Sequence, residues 1–116
     1  MRNFRKFHVW EKSHKQVLTV YKITSSFPRE EVFGITSQLR RAAVSVPSNI
    51  AEGCGRKSDA DFKRFLIIAF GSASELEYLL ILSKDLAYIS DRIYKEHIKE
   101  VCHIKKMLTS LINKLS

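Results

Sequence analysis

Apolar positions in this 116-residue chain recur with helical rather than strand spacing over four stretches. The first spans about 8–26, with Trp10, His14, Val17, Leu18 and Tyr21 on one stripe. Phe27-Pro28 closes it, because a residue before proline is driven out of the α region. The second spans 31–54 and keeps Ile35, Leu39, Ala42, Ala43, Val46 and Ile50 in register. Pro47 lies inside it and removes a backbone donor, which predicts a kink rather than a break. Gly53-Cys54-Gly55 ends it, with glycine available for a left-handed cap. The third spans 59–87, roughly 42 Å at 1.5 Å per residue. It opens on Ser58-Asp59-Ala60-Asp61, a capping-box-like start with Asp where Glu is preferred. The fourth spans 91–115 and carries Tyr94, His97, Val101, Ile104, Leu108, Leu111 and Leu115 at strict 3-4 spacing. That seam suits antiparallel bundle packing. Connections of a few residues make consecutive helices antiparallel neighbours. The expectation is one all-α domain over residues 1–116, an antiparallel up-down-up-down four-helix bundle.

The third stretch has two apolar faces. Phe62, Phe65, Leu66, Ala69, Ala73, Leu76 and Leu80 form its core face. Almost opposite lie Ile67, Ile68, Gly71, Ser74, Tyr78 and Leu82. A helix apolar all round is a buried helix, yet no helix is central in a lone four-helix bundle. Self-association through that second stripe is therefore expected, the small residues admitting a close partner helix. Opposite the core stripe of the second helix stand Arg41, Ser45, Ser48 and Glu52. That polar row is either solvated surface or the hydrogen-bonding part of the same subunit contact.

Composition narrows the class. Hydrophobic residues at 45% and charged residues at 28% exclude a disordered tail. The longest apolar run, Phe65 to Phe70, is six residues, so no membrane span is expected. Two cysteines, Cys54 and Cys102, are too few for a disulfide scaffold and suit reduced thiols in the cytoplasm. Few Gly and Pro argue against a turn-rich β fold. Gly53-Cys54-Gly55-Arg56-Lys57-Ser58 lacks the second glycine and the preceding strand of a phosphate-binding loop. His97, Cys102 and His103 are too few, and face too many ways, for a structural zinc site. No nucleophile, base and oxyanion site share a local motif, so neither an enzyme nor a cofactor is expected.

One run is distinctive: Gln38-Leu39-Arg40-Arg41-Ala42-Ala43-Val44-Ser45-Val46-Pro47-Ser48-Asn49-Ile50-Ala51-Glu52-Gly53. It resembles the signature of bacterial four-helix-bundle proteins encoded in intervening sequences of 23S ribosomal RNA genes. The likeness extends from Phe7 and Val9-Trp10-Glu11-Lys12 through Arg56-Lys57-Ser58, Arg64-Phe65-Leu66 and Glu75-Leu76 to Leu111-Ile112. The resemblance implies an antiparallel four-helix bundle without catalytic residues. It also implies kinship with the accessory proteins of diversity-generating retroelements. Those form basic pentameric barrels that bind nucleic acid and a reverse transcriptase, so a homopentameric ring is the assembly implied.

The net charge of +8 gives the assembly a partner class. In the expected topology the N-terminus, the turn between helices 2 and 3 and the C-terminus share one end. That end receives Arg2, Arg5, Lys6, Lys12, Lys15, Arg56, Lys57, Lys63, Arg64, Lys105, Lys106 and Lys114 against Glu11, Glu52, Asp59 and Asp61. The other end has equal numbers of bases and acids. All of these basic residues except Lys15 and Lys114 are the candidate contacts to nucleic acid, most naturally to the phosphates of structured RNA. The alternative is a scaffold or adaptor whose basic surface meets an acidic protein, such as a polymerase.

Overall fold

The structure is a computed structural model that describes residues 2–115. These residues form four α-helices and no strand: α1 His8–Thr24, α2 Ile35–Cys54, α3 Asp59–Asp85 and α4 Asp91–Lys114. Short 3-10 turns occupy Phe4–Lys6 and Arg29–Glu31. Serines start the two longest helices. Ser58 Oγ accepts from the Asp61 N–H at 3.1 Å, and Ser90 Oγ accepts from the Ile93 N–H at 3.2 Å. Each satisfies an amide that a helix start leaves without an intrahelical partner.

The second helix begins four residues later than its apolar pattern suggests. Gly34 takes a non-helical backbone, and the chain before it forms the Arg29–Glu31 turn. Glu31 is drawn into tertiary bonds there, with Tyr88 Oη donating to its carboxylate at 2.9 Å. Helix α2 then continues unbroken through the buried Pro47. At the far end of α3, Ala87 takes a left-handed φ of 62°. Tyr88 N–H reaches Ser83 O and Ala87 N–H reaches Lys84 O, both at 2.9 Å. That double bond pattern is a Schellman cap with alanine where glycine usually sits.

Helices α2 and α3 bury the faces their periodicity marks, with Leu39, Ile50, Phe62, Leu66, Leu76 and Leu80 wholly enclosed. From α4, Val101, Ile104 and Leu108 join them. With Trp10 and Val17 half-buried against the core, the stripe expected on α1 holds only in part. Its buried face is Val9, Ser13, Gln16, Val20 and Thr24, while His14 is exposed and Leu18 and Tyr21 are 57% and 45% exposed. Ser13 Oγ donates to Trp10 O and Thr24 Oγ1 to Val20 O, so these hydroxyls enter the interior already bonded.

Each helix packs on its neighbour in sequence, and α1 closes the set against α4 with the slightest contact of the four. Arg2 N–H donates to Cys54 O at 2.9 Å, which holds the N-terminal segment on the α2–α3 corner. Phe27 and Tyr88 rings meet at 5.3 Å, joining the α1–α2 connection to the α3–α4 connection. An 18-residue stretch of α3 reaches a mean hydropathy of 1.7, so by length and composition α3 is long and apolar enough to cross a membrane. Counting uninterrupted apolar residues understated this, because the scattered Gly, Ser and Glu of α3 break the run without removing the hydropathy. Only 39% of that stretch is buried, since just one side of the helix faces α2 and α4.

Two glycine-related substitutions test this geometry. A Cβ at Gly53 would fall 2.9 Å from Phe65 Cβ and 3.3 Å from Phe62 O. Gly53→Ala should therefore cost about 1–3 kcal/mol, the usual penalty for overpacking. Ala87→Gly should stabilise by up to about 1 kcal/mol by relieving the left-handed alanine. Urea unfolding at one fixed protein concentration measures both, and opposite signs are the expected result.

Candidate nucleic-acid interface

The α2–α3 corner is built on two phenylalanines. Phe62 and Phe65 are buried at the start of α3, beneath the end of α2. The guanidiniums of Arg56 and Arg64 lie over the Phe65 ring, 4.8 and 4.6 Å from its centroid, and that of Arg2 lies 4.2 Å from the centre of Phe62. Arg5 covers Phe4 at 4.8 Å, and Phe4 packs edge-on against Trp10. Ring faces attract cations and restrict long side chains, so these arginines are held over the corner.

The ten candidate contacts divide by what neutralises them. Arg2 pairs with Asp59, Arg64 with Asp61 at 3.7 Å and Lys12 with Glu100 at 3.8 Å. Lys105 bonds Glu77 at 2.9 Å, lies over the Phe70 ring and is largely buried. Its charge is consumed within the fold. Arg5, Lys6, Arg56, Lys57 and Lys106 are exposed and have no carboxylate partner among the described residues. Lys63 is half-buried on the first turns of α3. The Phe4–Lys6 turn packs on α2, which brings Arg5 and Lys6 toward Arg56 and Lys57. Lys106 stands separately on α4.

The outer side of α3 carries Ile67, Gly71, Ser74 and Tyr78 at 3-4 spacing, and Ile81 continues the row, a residue the sequence reading omitted. Tyr78 is 57% exposed, and Ile67 and Ile68 are exposed about three turns earlier on the same helix. A Cβ on Gly71 would meet nothing within 4 Å. Leu82 differs from the rest of the stripe, being half-buried against the core. On α2, Arg41, Ser48 and Glu52 are exposed, but Ser45 is bonded inside the subunit. Asn49 Nδ2 donates to Ser45 Oγ at 3.0 Å, Ser45 and Ser72 hydroxyls meet at 2.7 Å, and Ser72 Oγ donates to Ile68 O. That relay ties α2 to α3.

The sequence model of the 23S rRNA-intervening sequence protein family matches residues 5–110. The chain belongs to that family. A crystal structure of a protein of unknown function from the S23 ribosomal protein family, from Bacteroides thetaiotaomicron, superposes with a TM-score of 0.84. It is 30% identical, over 90% of this chain and 95% of that one. No curated protein matches the chain. The family resemblance carried by residues 38–53 is therefore upheld, and so is the all-α four-helix fold.

Burial raises the Cys54 thiol, opposed by Arg2. The Tyr88 phenol is raised chiefly by its bond to Glu31, and Asp91 is lowered by bonds from Lys95 and Lys84. Burial pushes His97 below its ordinary 6.5, against the opposing pull of Glu96 and Glu100. His97 faces inward and His103 outward, and no three His, Cys, Asp or Glu residues among those described are grouped to hold a metal. The unfolded chain takes up a proton on His97 before the folded chain does. Stability should accordingly fall as pH drops from about 7 through the ordinary histidine value and level off below the folded one. Urea midpoints between pH 7.5 and 5 should show this decline in the natural chain and a flatter profile in His97→Leu.

Proposed function

We propose that the chain is an up-down-up-down bundle that self-associates through the outer side of α3 and binds structured RNA through its basic corner, without catalysis. The observation that carries the RNA reading is the set of uncompensated cations, Arg5, Lys6, Arg56 and Lys57, gathered at the α2–α3 corner. Exposed cations outside the ion pairs of the described residues occur elsewhere too, Lys22, Arg29, Arg41 and Lys99 among them, but they are scattered, whereas the four at the corner lie on two adjoining segments that one polyanion can span. The family description, which names 23S rRNA, agrees with that choice. Contacts joining the N-terminal segment to the α2–α3 corner, and Phe27 to Tyr88, support the alternating topology. Assembly is supported by the exposed row on α3. Glycine inside an exposed helix costs about 1 kcal/mol against alanine, and nothing in the subunit itself requires Gly71. A closed ring of parallel subunits would join the basic corners into one positive rim, and five is the number the resemblance implies.

A second reading, a protein adaptor, is favoured by Phe33. This residue is 94% exposed on the α1–α2 connection, beside the exposed Val32 and at the end opposite the basic corner. An apolar ring so placed suits a protein partner rather than phosphates, and one chain can present both surfaces.

Tyr78→Glu and Gly71→Leu should both lower the mass seen by light scattering with chromatography while helical circular dichroism is retained. A carboxylate is costly to desolvate in the first variant, and added bulk blocks approach in the second. A natural chain that runs at 13.4 kDa at tens of micromolar would remove the assembly reading.

Arg56→Glu with Lys57→Glu should weaken binding to a structured RNA sharply and flatten its salt dependence. Each phosphate contact contributes about −0.7 to −0.9 to the log–log slope. Lys22→Glu with Arg29→Glu, at the other end, should change little. Fluorescence anisotropy at several salt concentrations distinguishes them, and equal losses from the two pairs would refute the one-ended site.

A further inference from the structure

Between α1 and α4 runs a groove of about 350 Å³ whose floor is Gln16 and His97. Both residues are nearly buried, at 5% and 8% exposure. Gln16 Nε2 donates to the backbone carbonyl of His97 at 3.3 Å. A carbonyl only accepts, so this bond fixes the orientation of the amide. One amide N–H and the carbonyl oxygen of Gln16 then remain without a hydrogen-bond partner among the described residues. The His97 imidazole likewise has none among the described residues. Burial favours its neutral form, which offers one donor and one acceptor. Two donor–acceptor couples therefore belong to neighbouring residues that line the groove.

The rim selects against charge. Glu11 pairs with Lys15 at 3.5 Å, Glu100 with Lys12 at 3.8 Å and Glu96 with Arg92 at 2.9 Å. A phosphate entering the groove would face three carboxylates against the two ammoniums of Lys12 and Lys15, which are already paired to Glu100 and Glu11, while a neutral ring would disturb none of these pairs. The complementary ligand is flat, uncharged and edged with alternating donors and acceptors. Side-chain amides read adenine edges in this way, and sequence-specific RNA recognition relies on unstacked bases bonded along their edges. We propose that the α1–α4 groove is a pocket for a single nucleobase, read by Gln16 and His97. An unpaired base of the bound RNA is one source, which rests on the RNA reading above, and a free nucleoside is the other.

The experiment uses the full chain with histidine rings labelled for NMR. Adenosine, cytidine, guanosine and uridine are titrated to millimolar concentration, and binding is measured to two RNAs of equal phosphate count, a blunt duplex and a hairpin with a single-stranded tail. At least one nucleoside should shift the His97 ring signal while the exposed His8, His14 and His103 stay still. The tailed RNA should bind roughly tenfold tighter than the duplex, the scale of one well-made base contact. Gln16→Met should remove that preference and leave duplex binding and its salt slope unchanged. A His97 shift with no preference for the tail assigns the pocket to free nucleosides. If that shift occurs with no RNA binding at all, the RNA reading fails and the pocket stands. Duplex and tailed RNA bound equally, with His97 unmoved by every nucleoside, would overturn the pocket and spare the RNA reading. The nucleoside arm needs only the natural chain, so it decides the matter even if the Gln16 variant misfolds.

Discussion

The close approach of α2 and α3 at Gly53 governs both the fold and the surface it presents. With no side chain there, the last turn of α2 rests directly on Phe62 and Phe65. The chain reverses within a few residues, and Ser58 caps the next helix at once. Because the corner is tight, the carbonyl of Cys54 is available to Arg2, and the N-terminal segment folds onto the same place. Cations from two distant parts of the sequence thus become neighbours through one backbone contact. The same phenylalanines that fill the space beside Gly53 supply the ring faces on which Arg2, Arg56 and Arg64 lie.

Much of this was legible in the sequence where hydropathy and burial coincide. Leu39, Val46 and Ile50 on α2, the Phe62-to-Leu80 face on α3 and the Val101-Ile104-Leu108 seam on α4 are buried as their spacing indicates. The Ser58 and Ser90 caps were equally readable, because a short hydroxyl before an acidic first turn has few other uses. Helix α1 was misread for a physical reason. Ser13, Gln16 and Thr24 reach the interior by bonding backbone carbonyls, which hydropathy does not register, while Leu18 and Tyr21 point outward. The start of α2 was missed because Glu31 looks like a first-turn acid until its tertiary partner Tyr88 is seen.

The candidate site was legible as a charge distribution but not as a set of available charges. Sequence places Lys105 among the basic residues equally with Lys57. Only the folded chain shows that Lys105 is matched to Glu77 across the α3–α4 interface, whereas Lys57 has no such partner. A salt bridge removes a cation from what a polyanion encounters, so net charge overstates a binding surface. Periodicity likewise marked the second face of α3 but assigned Leu82 to it, and Leu82 in fact leans into the core.

The unequal packing of the four helices also sets how the molecule opens. Sequential helices share apolar faces, but α1 meets α4 slightly, across a seam that includes Gln16 and His97. Segments with few buried apolar contacts open locally at less free energy than the whole domain. Helix α1 forms one side of the α1–α4 seam, the least extensive contact in the bundle, whereas α3 is held by both α2 and α4. Its amides should exchange with solvent ahead of those of α3, and any molecule seated across the seam would slow them.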